Sequence, residues 1–395
     1  MLVRVGTQVQ EVLRRTDTCR RGTTPVKTTR LRVVLRDVEP ALARVIDVPA
    51  SATLPELHEL LQAAIGWTDS HLHQFVTPQA TYGMEIPGEE VWPEDQRDET
   101  GAQLADLGAE FEYLYDFGDG WTHDVEVLGP GGSAPGCVDG HGACPPEDCG
   151  GPGGYAELLD VLADPAHPEH EHIRSWVGNR LRPFDRAATD QWVRRVVGEV
   201  PESVRLLLDL LADGIKLTPG GRLPRTVVRS MQQHRQHWYP LGRPAAIEDD
   251  LPPLAALHEL LRDVGLLRLR HGVLTPTRAA GDDLAIVRRL RTAFDAHTFA
   301  TEITELTIGV LAAHGPLPLA ELATRVHQLL GRGWQRDGQP VSEHDVQIAI
   351  AHQSPIMKGL DLIDDANWRA WSIGAAARSL LPRATMLAEI WTNNE

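Results

Sequence analysis

The chain has 395 residues, of which 42% are hydrophobic and 24% charged, with a formal net charge of −17. That length exceeds one ordinary core and points to roughly two or three domains, while the composition is globular and excludes a disordered chain. No apolar run approaches the ~20 residues of a bilayer span, and Met1 to Gln10 lack the charged start and apolar core of a secretory signal. Cytoplasmic residence is expected, and four cysteines in so long a chain do not make a disulfide scaffold.

Charge is unevenly spread. Arg4, Arg14, Arg15, Arg20, Arg21, Lys27, Arg30, Arg32 and Arg36 face only Glu11 and Asp17, so the chain opens basic. Residues 1–30 read as a basic mobile tail, or as an over-long start of translation. Between Asp98 and Ile173 there is no lysine or arginine, and Glu89, Glu90, Glu94 and Asp95 precede that stretch. Such a surface repels phosphate backbones, since nucleic-acid binding relies on cations that displace counterions.

Leu31–Leu35 and Ala43–Val48 predict a hairpin turned at Glu39-Pro40. A helix follows, with an N-cap within Ser51–Thr53, Pro55 in its first turn, and Leu57, Leu60, Leu61, Ala64 and Ile65 at helical spacing up to Gly66. Strand–strand–helix opens a β-grasp-like α+β domain, expected over 31–195. His71–Val76 predicts a further strand. Phe111, Tyr113, Tyr115 and Phe117 alternate with Glu112, Leu114 and Asp116, and the alternation resumes at Trp121, His123, Val125 and Val127. A three-residue loop, Gly118-Asp119-Gly120, sets Phe117 opposite Trp121, Tyr115 opposite His123 and Tyr113 opposite Val125. One face is then aromatic and the other acidic, with Asp116 towards solvent. A glycine-rich loop, 129–154, leads to a helix starting near Tyr155.

Two mostly helical, winged-helix-like units follow, over 196–290 and 291–395. The helix Pro253–Val264, stopped by Gly265, precedes a two-stranded wing. Leu210–Pro219 and Leu266–Pro276 echo one another, each ending in Thr-Pro, which suits the start of a new helix. Helices around Val310–Gly315, Leu319–Leu330 and Ser342–Gln353 precede a second hairpin at Leu360–Ile363 and Trp371–Ile373.

Pro40 with Arg44, Ile65-Gly66-Trp67, Ser70 to Phe75, Tyr115 to His123, and Cys144 to Pro152 occur in an ordered series over roughly 31–190. In this the sequence resembles the plasmid pRiA4b ORF-3-like family, and its second half resembles the C-terminal extension of actinobacterial relatives. The resemblance implies an α+β fold of the β-grasp kind and an origin on plasmids or insertion elements. No activity comes with it. A resolvase label attached to some members finds no support, because Ser51, Ser70 and Ser133 lack the arginines that bind a scissile phosphate.

Three chemistries compete. Asp116, Asp119, His123, Glu147 and Asp148, with His71 and His73 beside them, are ligands of the kind divalent ions use, and define a metal-dependent hydrolase as the alternative function. Against it, the expected hairpin register turns Asp116 and His123 to opposite faces. Cys137, Cys144 and Cys149 with His141 or His123 could hold a structural zinc, although intervals of six and four intervening residues fit the usual spacing poorly. The run Gly150–Gly154 has no following lysine and is preceded by Glu147 and Asp148, so it is not a phosphate loop. Arg222, Arg225, Arg229, Arg235, Trp238 and Arg243, with Tyr239, mix basic and aromatic groups in a way that suits nucleic acid. The overall acidity favours a non-enzymatic regulatory protein that binds a protein partner through its C-terminal units. DNA contact through Arg225–Arg243 or the tail is the lesser expectation.

Overall fold

The computed structural model describes residues 26–83, 96–178, 180–238, 243–330, 334–336, 338–364 and 369–385. Most of the expected basic tail (residues 1–25), the acids Glu89, Glu90, Glu94 and Asp95, and Tyr239 lie outside the described residues. The chain divides into two compact units after Val197. No helix of the described residues is long and apolar enough to cross a membrane.

The first unit is α+β. Strands β1 (Thr28–Leu35), β2 (Leu42–Pro49), β3 (His73–Val76), β4 (Thr81–Gly83), β5 (Gln96–Asp98), β6 (Glu110–Tyr115), β7 (Trp121–Pro130) and β8 (Gly136–His141) form one sheet. Its order is β5-β4-β3-β6-β7-β1-β2-β8. Only β4 and β5 run parallel. Period-two alternation gives the sheet its buried face: Leu31, Val33, Leu35, Phe111, Tyr113, Tyr115, Trp121, His123 and Val125 all point inward. On the other face Glu110 stands opposite Glu126 and Glu112 opposite Asp124. Like charges so placed repel, and Arg36 offsets one pair by bridging Glu112, at 2.7 Å, and Asp124.

Helix α1 (Leu54–Ile65) packs on the buried face together with α4 (Arg186–Val197), while α2 (Gly151–Ala163) and α3 (His170–Val177) lie between them in sequence. Glu56 reaches back to accept from the Thr53 amide at 2.9 Å, and Gly66 in the left-handed region ends α1. Arg44 is buried on β2 with no carboxylate partner among the described residues. Its guanidinium donates instead to the carbonyls of Ala64 (2.8 Å), His141 (2.6 Å) and Gly142 (3.1 Å). Burial lowers its pKa, and the carbonyl end of α1 provides a favourable place for the cation.

The β6–β7 hairpin departs from the expected register. Tyr115 opposes Trp121, Tyr113 opposes His123 and Phe111 opposes Val125. The loop is five residues, Asp116–Gly120, because Asp116 leaves the strand in the left-handed conformation (φ 58°). A slip of two residues keeps every side chain on its face. Only the tip changes: Phe117 is exposed, and Asp116, expected towards solvent, is buried. Helix α2 begins at Gly151, four residues earlier than expected, so the glycine run forms its first turn.

The second unit is mostly helical. In order it contains α5 (Glu202–Leu210), β9 (Ile215–Lys216), α6 (Arg225–His234), α7 (Pro252–Asp263), β10 (Leu267–Arg270), β11 (Val273–Pro276), α8 (Asp283–Arg291) and α9 (Phe299–His314). Then come α10 (Leu319–Leu329), β12 (Gln335–Arg336), β13 (Gln339–Pro340), α11 (Glu343–Gly359), β14 (Ile363–Asp364), β15 (Ser372–Ile373) and α12 (Ala377–Leu380). The two echoed segments pair with each other: β9 lies on β11, which lies on β10. Their Thr-Pro dipeptides do not start α-helices. Thr275 and Pro276 end β11, and the Thr218 hydroxyl folds a turn on the Arg222 amide at 3.1 Å. Buried apolar residues from Val204 to Leu381 make a single cluster, so the segments 196–290 and 291–395 share one core. Gly359 allows this, because a Cβ there would lie 2.8 Å from the Pro253 carbonyl oxygen on α7.

Candidate functional site

Three loops of the first unit meet beside the hairpin tip. Asp116 anchors the first: its amide donates to Leu72 O at 2.9 Å, and its Oδ1 accepts from the Gly118 amide at 2.9 Å. The second carries Cys149–Gly151. Asp119 Oδ2 accepts from the Gly150 amide at 3.1 Å, and a Cβ on Gly151 would fall 2.3 Å from Asp119 O. Only glycine, at φ 68°, permits that approach. The third is Thr68–His71, tied down by Glu147, whose carboxylate accepts from the Thr68 amide (3.0 Å), the Thr68 hydroxyl and the Tyr115 hydroxyl (2.5 Å). Burial and the adjoining carboxylate both raise the pKa of Tyr115, which stays protonated as the donor.

The result is a compact His–Asp–Asp group. His71 Nε2 lies 3.5 Å from Asp116 Oδ2 and 3.3 Å from Asp148 Oδ1. One ligand atom from each residue falls within 4.8 Å of the others. No other group of three or more such residues occurs among the described residues. Of the five residues expected at a metal site, Asp116 and Asp148 are brought together and His71 joins them. The other three have different work. Asp119 holds the glycine turn and Glu147 fixes two loops. His123 is fully buried, its Nδ1 3.0 Å from Tyr113 O and its Nε2 receiving Trp67 Nε1–H at 3.4 Å. Burial depresses its pKa to about 4, which keeps it neutral.

Cys137, Cys144, Cys149 and His141 do not converge. No three of them share a ligand-sized space, and the three thiols are free. Cys137 Sγ points to Asp139 O at 3.6 Å, and Cys144 Sγ to Pro145 O at 3.4 Å. Burial pushes all three thiols up, Cys137 to about 11 and Cys149 to about 12. The spacing failed because β8 carries Cys137 into the sheet, away from the loop that holds the other two.

A second polar cluster is internal, and sequence reasoning passed over it. His58 and His73 stack with ring centroids 3.5 Å apart and planes within 7°. Gln62 Nε2 donates to Tyr113 Oη at 2.8 Å, so the phenol proton is directed to His58 Nδ1, 2.8 Å away. His58 Nε2 then carries its proton towards Asp69 Oδ1 at 2.9 Å. The imidazole is neutral in this scheme, in keeping with a pKa lowered chiefly by burial. His73 Nε2 meets Glu99 Oε2 at 3.0 Å, both residues buried. A signal existed: His58 and Gln62 occupy the apolar stripe of α1, four residues apart.

The six residues expected at a nucleic-acid surface separate. Arg235 is mostly buried, paired with Asp361 (3.0 Å) and Glu202 (3.2 Å), and Trp238 is buried in the core. Arg222 pairs with Asp249 at 3.1 Å. Arg225, Arg229 and Arg243 are exposed.

The sequence of the first unit has known counterparts. Residues 27–192 match the family of plasmid pRiA4b ORF-3-like proteins. An uncharacterised protein of Sinorhizobium fredii, y4hQ, is 42% identical over 170 residues, which cover 41% of this chain and 85% of that protein. A protein of unknown function from Methanosarcina mazei, MM3350, known from its crystal structure, is 34% identical. The match takes in 41% of this chain and 96% of that one, with a TM-score of 0.36. The chain belongs to the plasmid pRiA4b ORF-3-like family, through residues 27–192.

Proposed function

We propose that the chain is a cytoplasmic regulatory protein of mobile-element origin that docks a partner protein through its C-terminal unit. The order helix–strand–helix–helix–strand–strand, which winged-helix modules use, supports it twice. The first instance is α5, β9, α6, α7, β10 and β11, with β9 paired to β11. The second is α9, α10 and α11 with β14 and β15, where Leu317 bridges Trp371 in the place of the first strand and the short β12–β13 hairpin is inserted between α10 and α11. The observation that carries the choice of partner is the outward face of α11. Its exposed positions are Glu343, His344, Ile348, Ala351 and His352, with no lysine or arginine. A DNA-reading helix offers basic or amide groups to base edges and phosphates. On α7 the exposed Glu259 and Asp263 outweigh Arg262.

DNA contact is the second reading, favoured by Arg225 and Arg229 one turn apart on α6 and by Arg268 and Arg270 exposed in the β10–β11 hairpin. Affinity purification of the tagged full chain and its Ile348→Asp variant from the native cells, with and without nuclease, separates the two. A nuclease-resistant partner retained by the parent and lost by the variant is expected. Recovery that depends on intact DNA, and is unaffected by Ile348→Asp, would transfer the function to the arginines.

A further inference from the structure

We infer that His71, Asp116 and Asp148 form a divalent-cation site in the family unit, separate from the docking role of the other unit. Two observations beyond the clustering itself point to a bound cation. The Asp116 side chain is nine-tenths buried, at 9% exposure. Its Oδ1 is committed to the Gly118 and Asp119 amides, while Oδ2 receives no hydrogen bond from the described residues and is aimed at His71. His71 Nε2 is closed to solvent and makes no hydrogen bond among the described residues, despite carboxylate oxygens at 3.3 and 3.5 Å. One ligand atom of each residue therefore lies within 4.8 Å of the other two. The stretch from Asp98 to Ile173, which supplies both carboxylates, contains no lysine or arginine.

A proton on His71 satisfies one carboxylate along one line. A metal ion satisfies all three atoms together. Two carboxylates and a neutral imidazole carry a charge of −2, which balances a divalent cation. One nitrogen and two oxygens suit manganese, ferrous iron or zinc better than magnesium or calcium, which prefer oxygen alone. The site is held open rather than formed on demand. Asp116 is fixed by its own turn, His71 by the Thr68–Ser70 loop that Glu147 ties down, and Asp148 by its neighbours Glu147 and Gly150. Asp148 is 74% exposed, so coordination positions left by three protein ligands face solvent.

The test uses the full chain, stripped with a chelator, titrated with manganese and followed by the electron paramagnetic resonance of the free ion. Manganese is chosen because it disregards the thiols. Stoichiometric binding is expected, weakened by about tenfold or more in Asp148→Asn and in His71→Gln. Asp148 is exposed, so its variant keeps the metal-free melting temperature of the parent. Zinc should displace manganese one for one. Absence of manganese and zinc binding by the parent would overturn the site and assign the missing charge to a proton on His71. Binding that both variants retain at full affinity would equally overturn it.

Discussion

His73 and Glu99 in the family unit, and His258 and Glu248 in the C-terminal unit, are both buried pairs, at 3.0 and 2.8 Å. They are embedded differently. His73 stacks on His58, and the chain of contacts continues through Tyr113, Gln62 and Asp69. His258 stands alone. Its Nε2 meets no hydrogen-bond partner among the described residues, and Glu248 spends its second oxygen on the Leu223 amide at 2.6 Å. Around it the core is nearly all aliphatic. The family unit thus builds polar groups into its interior and its loops, and the C-terminal unit uses a polar pair as a clasp.

That contrast extends to protons. In the family unit burial depresses His123, to about 4, and His58. The unfolded chain then binds more protons than the folded one between the ordinary histidine value near 6.5 and about 4. The stability these histidines give is present above pH 6.5 and is lost as pH falls through that window. In the C-terminal unit the shifts are mixed: hydrogen bonds lower Asp250 and Asp345, which act only near and below the ordinary aspartate value of 3.8. Burial raises Asp295, Glu305 and Asp361. A raised carboxylate binds protons preferentially when folded, so a fall in pH from 7 to about 4.5 favours this unit through these three groups.

The largest expected effect comes from breaking the networked pair. Glu99→Ala leaves His73 buried without its partner and should cost about 3–5 kcal/mol in urea unfolding. Lowering pH from 7.5 to 4.5 should remove about 2.5 kcal/mol from the family unit through His123 alone, seen as an earlier urea midpoint. Tyr113→Phe removes the hydroxyl shared by His58 and Gln62 and should cost about 1–3 kcal/mol. Gly359→Ala tests the shared core of the C-terminal unit. The added methyl meets the Pro253 carbonyl oxygen and should cost about 1–3 kcal/mol, confined to that unit. Arg225→Ser, on an exposed helix face, should change stability by less than about 0.5 kcal/mol.

Legibility followed the strength of the local pattern. The β1–β2 hairpin, α1 with its Gly66 stop, and the two faces of the β6–β7 hairpin follow from periodicity, since alternation survives an even slip in register. The tip was illegible because a left-handed aspartate looks like the next residue of a strand. With Asp116 turned to solvent, the sequence named Asp116, Asp148 and His71 among the candidate ligands but could not separate them from Asp119, His123 and Glu147. Helix α2 was read short because glycine disfavours helices. Gly151 and Gly154 are there because Asp119 O and Cys149 O approach them, which is a tertiary cause. His58 was readable as a polar residue on an apolar stripe. Glu99, which pairs with the stacked His73, was not, because the three-residue turn Glu99–Gly101 is too short to carry a period.

Hydrogen exchange read peptide by peptide at pH 7.0 and pH 4.5, corrected for intrinsic rates, tests the division between the units most directly. Opening free energies in β6, β7 and α1 should fall at pH 4.5, while those in α7, α10 and α11 hold or rise. An equal fall in both units, or a fall confined to the C-terminal unit, would contradict it.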